Sequence, residues 1–192
     1  MVSNVIDCLG RDFDLACVSL FNEIHRSYSP DLLIGIESGG GYILRRMNFL
    51  KLDAVQCAFV RAARSGSKIK KKSRLKSLLK LFPRKVNNVL RLGEHFFREM
   101  RYKSEKAANN RNVEISDSER AKIVHGKIIC LIDDAVDTGS SLVAVRDAII
   151  AINPTATIVF ASIVQTFSQP ILAPDLVLYK DVLVRFPWSE DA

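Results

Sequence analysis

Apolar and polar positions fall in blocks along the chain, and the spacing within the blocks changes. Between Asp12 and Arg26, Leu15, Val18, Phe21 and Ile24 recur near helical spacing, which predicts an amphipathic helix ended by Tyr28-Ser29-Pro30. Leu32 to Ile36 is a short unbroken apolar run, the pattern of a buried strand, and it stops at Glu37-Ser38-Gly39-Gly40-Gly41. A helix is predicted over Tyr42 to Phe49 and a strand over Val55 to Val60. Far downstream, Ile128 to Ile132 reads as a central strand, Asp133 to Ser141 as a polar loop and Leu142 to Ile152 as a helix. Thr157 to Val164 is a further strand, and Leu176 to Leu178 and Val182 to Val184 are short terminal ones. Parallel neighbours need a crossover, so strands separated by helices predict an α/β fold with a parallel sheet. Ligands of such sheets bind beyond the carboxyl ends of the strands. With 192 residues, 48% hydrophobic and 26% charged, the chain is expected to form a single domain over 1–192.

Charge changes this picture in one place. The chain carries +7 overall, yet between Arg61 and Lys106 sixteen Lys and Arg meet three acids, leaving twelve basic residues against eighteen acids elsewhere. A mildly acidic domain is thus interrupted by a basic insertion, placed at 62–111. Inside it, Leu75, Leu78, Leu79 and Phe82 keep helical spacing, Pro83 breaks it, and Val86, Val89, Leu90 and Phe97 form a second apolar stripe. Two amphipathic basic helices are predicted. The four cysteines, Cys8, Cys17, Cys57 and Cys130, fit no zinc or redox spacing and read as reduced thiols, with Cys130 a small buried hydrophobe. No apolar run approaches the roughly 20 residues of a membrane span, and no secretory leader is read at the N-terminus. A cytoplasmic location is expected.

The chemistry concentrates after the central strand, in Asp133-Asp134-Ala135-Val136-Asp137-Thr138-Gly139-Ser140-Ser141. Backbone N–H groups at a helix start are unpaired, and the helix dipole makes the region positive. Gly139 lets the backbone approach a ligand, and the hydroxyls of Thr138, Ser140 and Ser141 add donors, so the second half reads as a phosphate cradle. The adjacent acids Asp133 and Asp134 suit sugar hydroxyls or a hard cation such as Mg²⁺. Taken singly, they are surface acids and Thr138 a helix cap. As one string, they point to a sugar phosphate.

This string resembles the PRPP-binding signature of type I phosphoribosyltransferases, as does its Gly126-Lys127 lead-in. The resemblance implies that Asp133 and Asp134 bind the ribose hydroxyls of PRPP and that Thr138, Gly139, Ser140 and Ser141 hold the 5′-phosphate. Asp137 matches the acid that handles the base's proton in the purine-salvage branch. The stretch Ile34 to Gly40 is similar to the family's pyrophosphate loop, which implies that role for Glu37, Ser38, Gly39 and Gly40. Arg61 falls where a basic residue meets phosphate charge. The implied fold is the family's parallel sheet flanked by helices, with the insertion in the hood or closing-loop position. The implied reaction is transfer of phosphoribose from PRPP to a nucleobase-like acceptor. Mg²⁺ would be carried with PRPP rather than held by a metal site of the protein, and the family is usually dimeric or larger.

Three positions depart from the hypoxanthine, xanthine and guanine branch. Ser38 replaces a basic residue before the Gly-Gly pair. Ile163-Val164-Gln165-Thr166 lacks the lysine that reads the purine 6-oxo group. Leu183 falls where a stacking aromatic is expected, while the terminal Phe186-Pro187-Trp188 is similar to that branch, with Trp188 read as a packing aromatic. The resemblance reaches ribose-phosphate binding and stops short of 6-oxopurine specificity. The basic helices fit a hood packed on the domain or on another subunit, a nucleic-acid contact through Lys68, Lys70, Lys71, Lys72 and Arg74, or an anionic membrane surface. The second gives an alternative function, a nucleotide-sensing or nucleic-acid-binding protein without transferase turnover.

Overall fold

The computed structural model describes residues 2, 4–37, 39–50, 55–64, 83–105, 111–189 and 192. Ser38, the lysines 68 and 70–72, Arg74 and the Leu75–Phe82 stripe lie outside the described residues.

The strands are β1 (Asn4–Asp7), β2 (Leu32–Glu37), β3 (Gln56–Arg64), β4 (Arg111–Glu114), β5 (Ile128–Val136), β6 (Thr157–Gln165), β7 (Leu176–Lys180) and β8 (Val182–Arg185). The helices are α1 (Arg11–Ser27), α2 (Gly39–Phe49), α3 (Arg84–Glu105), α4 (Asp117–His125) and α5 (Ser140–Ile152). Six strands form one sheet in the order β4-β3-β2-β5-β6-β7, parallel except for β4 against β3. A separate parallel pair joins β1 to β8. The expected parallel sheet flanked by helices is present.

The sheet is buried on both faces because its central strands carry apolar residues on both sides. On β5, Cys130 and Ile132 enter the core under α1 and α2, while Ile129 and Leu131 enter the core under α4 and α5. Burial pushes the Cys8 thiol up to about 11 and that of Cys17 up to about 12, and no cysteine is bonded to another. Among the described residues, no helix is long and apolar enough to cross a membrane.

Several expected boundaries move. β5 runs on to Val136 because Asp133, Ala135 and Val136 continue the ladder with Ser162, Val164 and Gln165, so the two acids stand on strand rather than loop. β3 runs to Arg64 and β4 starts at Arg111, so both ends of the 62–111 insertion belong to an antiparallel pair. On α1 the buried face is Phe13, Ala16, Cys17, Leu20 and Ile24, while Leu15 is exposed. β1 and the capped helix α4 were not anticipated. Ser116 caps α4 reciprocally with Glu119, whose carboxylate also accepts from the Phe59 N–H at 3.1 Å, tying α4 to β3.

Helix α3 departs most from its pattern. Its apolar residues Val89, Leu90, Phe97 and Met100 are exposed, Val89 and Phe97 by 69% and 72%, whereas Asn87, His95 and Glu99 are buried. Of the apolar stripe, Leu90 borders the cavity beneath the helix while Val86, Val89 and Phe97 are exposed, and the polar Asn87, His95 and Glu99 pack inward.

Candidate functional site

The chain leaves β2 towards β3 on one side of the sheet, and β5 leads towards β6 and β7 on the other. β2 and β5 are neighbours, so the crevice beyond their carboxyl ends is the topological switch point. The two motifs singled out in the sequence flank it. The Gly-Gly pair opens α2, and the acid string ends β5 and opens α5.

These walls touch. A Cβ on Gly40 would lie 1.9 Å from the Ile132 carbonyl oxygen, and one on Gly39 would lie 1.9 Å from the Asp134 carboxyl carbon. Glycine is therefore required for α2 to start directly against β5. Glu37, at the end of β2, is ion-paired with Arg45. Both border a separate cavity of about 420 Å³ with Tyr42 and Arg61. Arg61 is exposed, lies 3.7 Å from Glu114, and does not line the concavity formed by Thr138 to Ser141.

The loop read in the sequence as a phosphate cradle turns sharply into α5. Gly139 is left-handed, with φ 78°, directly before α5. The Ser140 N–H donates to Thr138 Oγ1 at 3.2 Å, the two hydroxyls are 2.7 Å apart, and the Thr138 carbonyl accepts from the Ile171 N–H at 2.9 Å. Asp133, Thr138, Gly139, Ser140 and Ser141 line a concavity of about 100 Å³. Two guanidinium groups absent from the sequence reading join them: Arg98 from α3 and Arg111 from β4. They arrive from positions remote in sequence, and no local motif announces them.

The adjacent acids part company. Asp133 borders the cradle, whereas Asp134 lies against Gly39 and accepts from the Trp188 indole N–H at 3.1 Å. Burial pushes the Asp133 carboxyl well above the usual carboxylate range, the Asp134 charge adds to this, and Arg111 opposes it. Burial also raises Asp134, against the hydrogen bond from Trp188. Trp188 is packed between Phe186 and Tyr42, with ring centroids 4.9 Å away on each side. It is both a packing aromatic, as expected, and a clamp on Asp134.

Beside the cradle lies a larger cavity of about 690 Å³, walled by Asp134, Asp137, Thr166, Leu183, Trp188 and the inner face of α3. Asp137 stands between the two. One of its oxygens accepts from the Thr166 hydroxyl and the other from Arg98 at 2.5 Å. α3 is held over this cavity by Glu99, which accepts from the Ser168 N–H at 3.1 Å and its hydroxyl at 2.6 Å. At its other end Asn88 accepts from the buried Arg185 at 2.7 Å. Among the described residues, no three His, Cys, Asp or Glu side chains gather as a metal cage. Asp133 and Asp137 are the acids that line the cradle, and carboxylates of this kind suit a hard cation whose other ligands are oxygens of a bound molecule.

A parallel α/β sheet with a loop-lined crevice at its switch point, covered by helix α3, is the class that fold and site define. The model of the phosphoribosyl transferase domain matches residues 11–171, and the chain belongs to that family. Among solved structures, the xanthine-guanine-hypoxanthine phosphoribosyltransferase of Helicobacter pylori is 19% identical, with a TM-score of 0.60 over 97% of this chain and 94% of that one. A purine phosphoribosyltransferase of Pyrococcus horikoshii is 16% identical, with a TM-score of 0.59 over 97% and 95%. A hypothetical protein of Neisseria gonorrhoeae with bound ppGpp is 14% identical, with a TM-score of 0.57 over 98% and 90%. None of the curated proteins matches the sequence.

Proposed function

We propose that the chain transfers the phosphoribosyl group of Mg²⁺-bound PRPP to a nitrogen of a nucleobase-like acceptor, releasing pyrophosphate. The observation that carries this reading is the adjacency of two cavities, one a phosphate cradle bordered by Asp133 and the other walled by Asp134 and aromatic side chains, with Asp137 between them. In this reading Thr138 to Ser141 hold the 5′-phosphate, with Arg98 and Arg111 adding charge. Asp133 and Asp134 orient the ribose hydroxyls. The start of α2, with Gly39 and Gly40, faces the diphosphate, and Glu37, Ser38 and Arg61 lie in or beside that loop. Mg²⁺, carried with the diphosphate, supplies charge neutralisation to the leaving group. The bond from the anomeric carbon to the diphosphate oxygen breaks, a bond to the acceptor nitrogen forms, and the acceptor's proton passes to Asp137. Fixed dipoles and guanidinium groups contribute by preorganisation.

Calorimetric titration of PRPP with Mg²⁺ tests the site. The wild type should bind saturably, and the Asp133→Asn/Asp134→Asn variant should lose about a hundredfold or more in affinity, as expected for two charged hydrogen-bonding groups. Equal binding by a folded double variant would remove the acids from the site.

A second reading has one observation in its favour. Both oxygens of Asp137 are already engaged, by Thr166 and Arg98, which suits a pocket that holds a nucleotide without turning it over. Saturable PRPP binding without pyrophosphate release, across a panel of bases, would select this sensor. A nucleic-acid role for Lys68–Arg74 would show as salt-dependent binding lost when those residues are neutralised.

A further inference from the structure

The outer side of α3 is apolar over most of its length. Val86, Val89, Phe96, Phe97 and Met100 fall at i, i+3, i+10, i+11 and i+14, which places them on one stripe about 20 Å long. All five are exposed, from 41% at Val86 to 72% at Phe97. Gly93 lies in the middle of the stripe, and a Cβ there would meet nothing within 4 Å, so no described residue closes over its centre. The other side of the helix holds it to the domain. Glu99 is bonded to Ser168, Asn88 accepts from Arg185, and the Tyr102 ring lies 5.5 Å from that of Phe167. These contacts fix which face points outward. Single apolar residues on a surface are ordinary, but a contiguous stripe marks a contact with something else.

Charge selects the partner. Lys85 borders the stripe on one side and Arg101 on the other, both exposed, and Glu94 is the only exposed acid of α3 among the described residues. The eighteen residues before Pro83, 65–82, contain seven Lys and Arg and no acid. A second copy of the chain would bring this positive charge against itself, which disfavours self-association through the stripe. Nucleic acid answers the charge but not five exposed apolar side chains, because phosphate contacts are made by cations and hydrogen-bond donors. The surface of an anionic bilayer answers both. A helix lies in its plane with the apolar side down and basic residues at the level of the headgroups. The stripe is the convex side of a single helix, and a fluid phase moulds to such a surface without a matching groove.

We propose that the outward stripe of α3 docks the chain on anionic lipid surfaces, with Val89, Phe96, Phe97 and Met100 entering the acyl boundary and the neighbouring Lys and Arg meeting the headgroups. Docking of this kind needs no live phosphoribosyl site, so the two stand or fall separately.

Co-sedimentation of the full chain with lipid vesicles is the test. Vesicles of phosphatidylcholine with about a third phosphatidylserine should bind the wild type about tenfold or more tightly than phosphatidylcholine alone, and added salt should weaken the binding. Val89→Asp/Phe97→Asp changes two exposed side chains, so the fold should be kept, and binding to the anionic vesicles should fall about tenfold or more. Should the double variant unfold, Phe97→Ser is read in the same way, with a smaller loss. A wild type that does not bind the anionic vesicles overturns the proposal whatever the variants do, and leaves an acidic protein as the partner. Equal binding to both vesicle compositions overturns it too. Binding that survives in a folded variant reduces the contact to adsorption by charge and overturns docking by the stripe. A wild type that is dimeric in sedimentation velocity, with a monomeric variant, would make the stripe an interface between copies, with the same consequence.

Discussion

At the scale of single residues, Asp137 concentrates the functional question. Its carboxylate is bridged by the Thr166 hydroxyl and the Arg98 guanidinium, which positions it at the boundary of the two cavities and also occupies it. A carboxylate acting as proton acceptor must exchange one of these partners for the substrate. Arg98 is half-exposed and the natural one to move, because in the proposed reading a ligand phosphate competes for the same guanidinium at the cradle. Asp137→Asn should therefore lower the rate of pyrophosphate release by about 10²–10⁴-fold, the range typical of general acid–base groups, while leaving PRPP affinity within a factor of a few. An unchanged rate in a variant that still binds PRPP would remove Asp137 from proton transfer. The acid was legible in sequence because its neighbours form a contiguous string. Arg98 and Arg111 were not, because they reach the site through the packing of α3 and β4, and nothing local distinguishes them from solvated surface residues.

At the scale of elements, the clearest signals came where one short segment both ends a strand and begins a helix. Ile128 to Ile132 with the Thr-Gly-Ser-Ser turn was readable because burial on both faces demands an unbroken apolar run, and a helix start beside a ligand demands small polar residues. The reading failed where tertiary contacts override periodicity. β5 absorbs the acids because β6 offers ladder partners as far as Gln165, and α3 leaves Val86, Val89 and Phe97 exposed while Glu99 on its opposite side is bonded to Ser168. The junction of β5 and α5 also gives a sharp structural test. Gly139 has φ 78°, and a Cβ there would lie 2.3 Å from the Leu172 carbonyl oxygen. Gly139→Ala combines left-handed strain with a backbone clash and should destabilise the chain by about 1–3 kcal/mol, read by chemical denaturation. Ribose 5-phosphate binding should fall in the same variant, since relief of the clash moves the cradle itself. A fully stable Gly139→Ala would mean that the loop from Thr138 to Leu172 yields freely, and a preformed cradle would not survive that result.

At the scale of the whole molecule, binding and stability should pull against each other at Asp133. Burial and the Asp134 charge raise its folded-state pKa well above that of the unfolded chain. The folded state then binds this proton more tightly than the unfolded one. The linked stability is fully present below the unfolded value near 3.8 and declines as the pH climbs towards the raised folded value. Replacing Asp133 by Asn removes the ionisation, so Asp133→Asn should be more stable than wild type at neutral pH, by an amount on the order of 1 kcal/mol, or about 2–4 °C in Tm for a domain of this size. Wild type and variant should converge as the pH is lowered towards 4. Ligand should reverse the order. Saturating PRPP with Mg²⁺ stabilises the folded state by mass action, about 2.7 kcal/mol at a hundred times Kd, and the wild type should gain this while Asp133→Asn gains little. Thermal melts with and without PRPP at neutral pH would show the two curves crossing if the buried acid is retained for its ligand. A variant less stable than wild type without ligand would instead make Asp133 a structural residue, and the cradle would have to bind its phosphate without help from the strand that builds it.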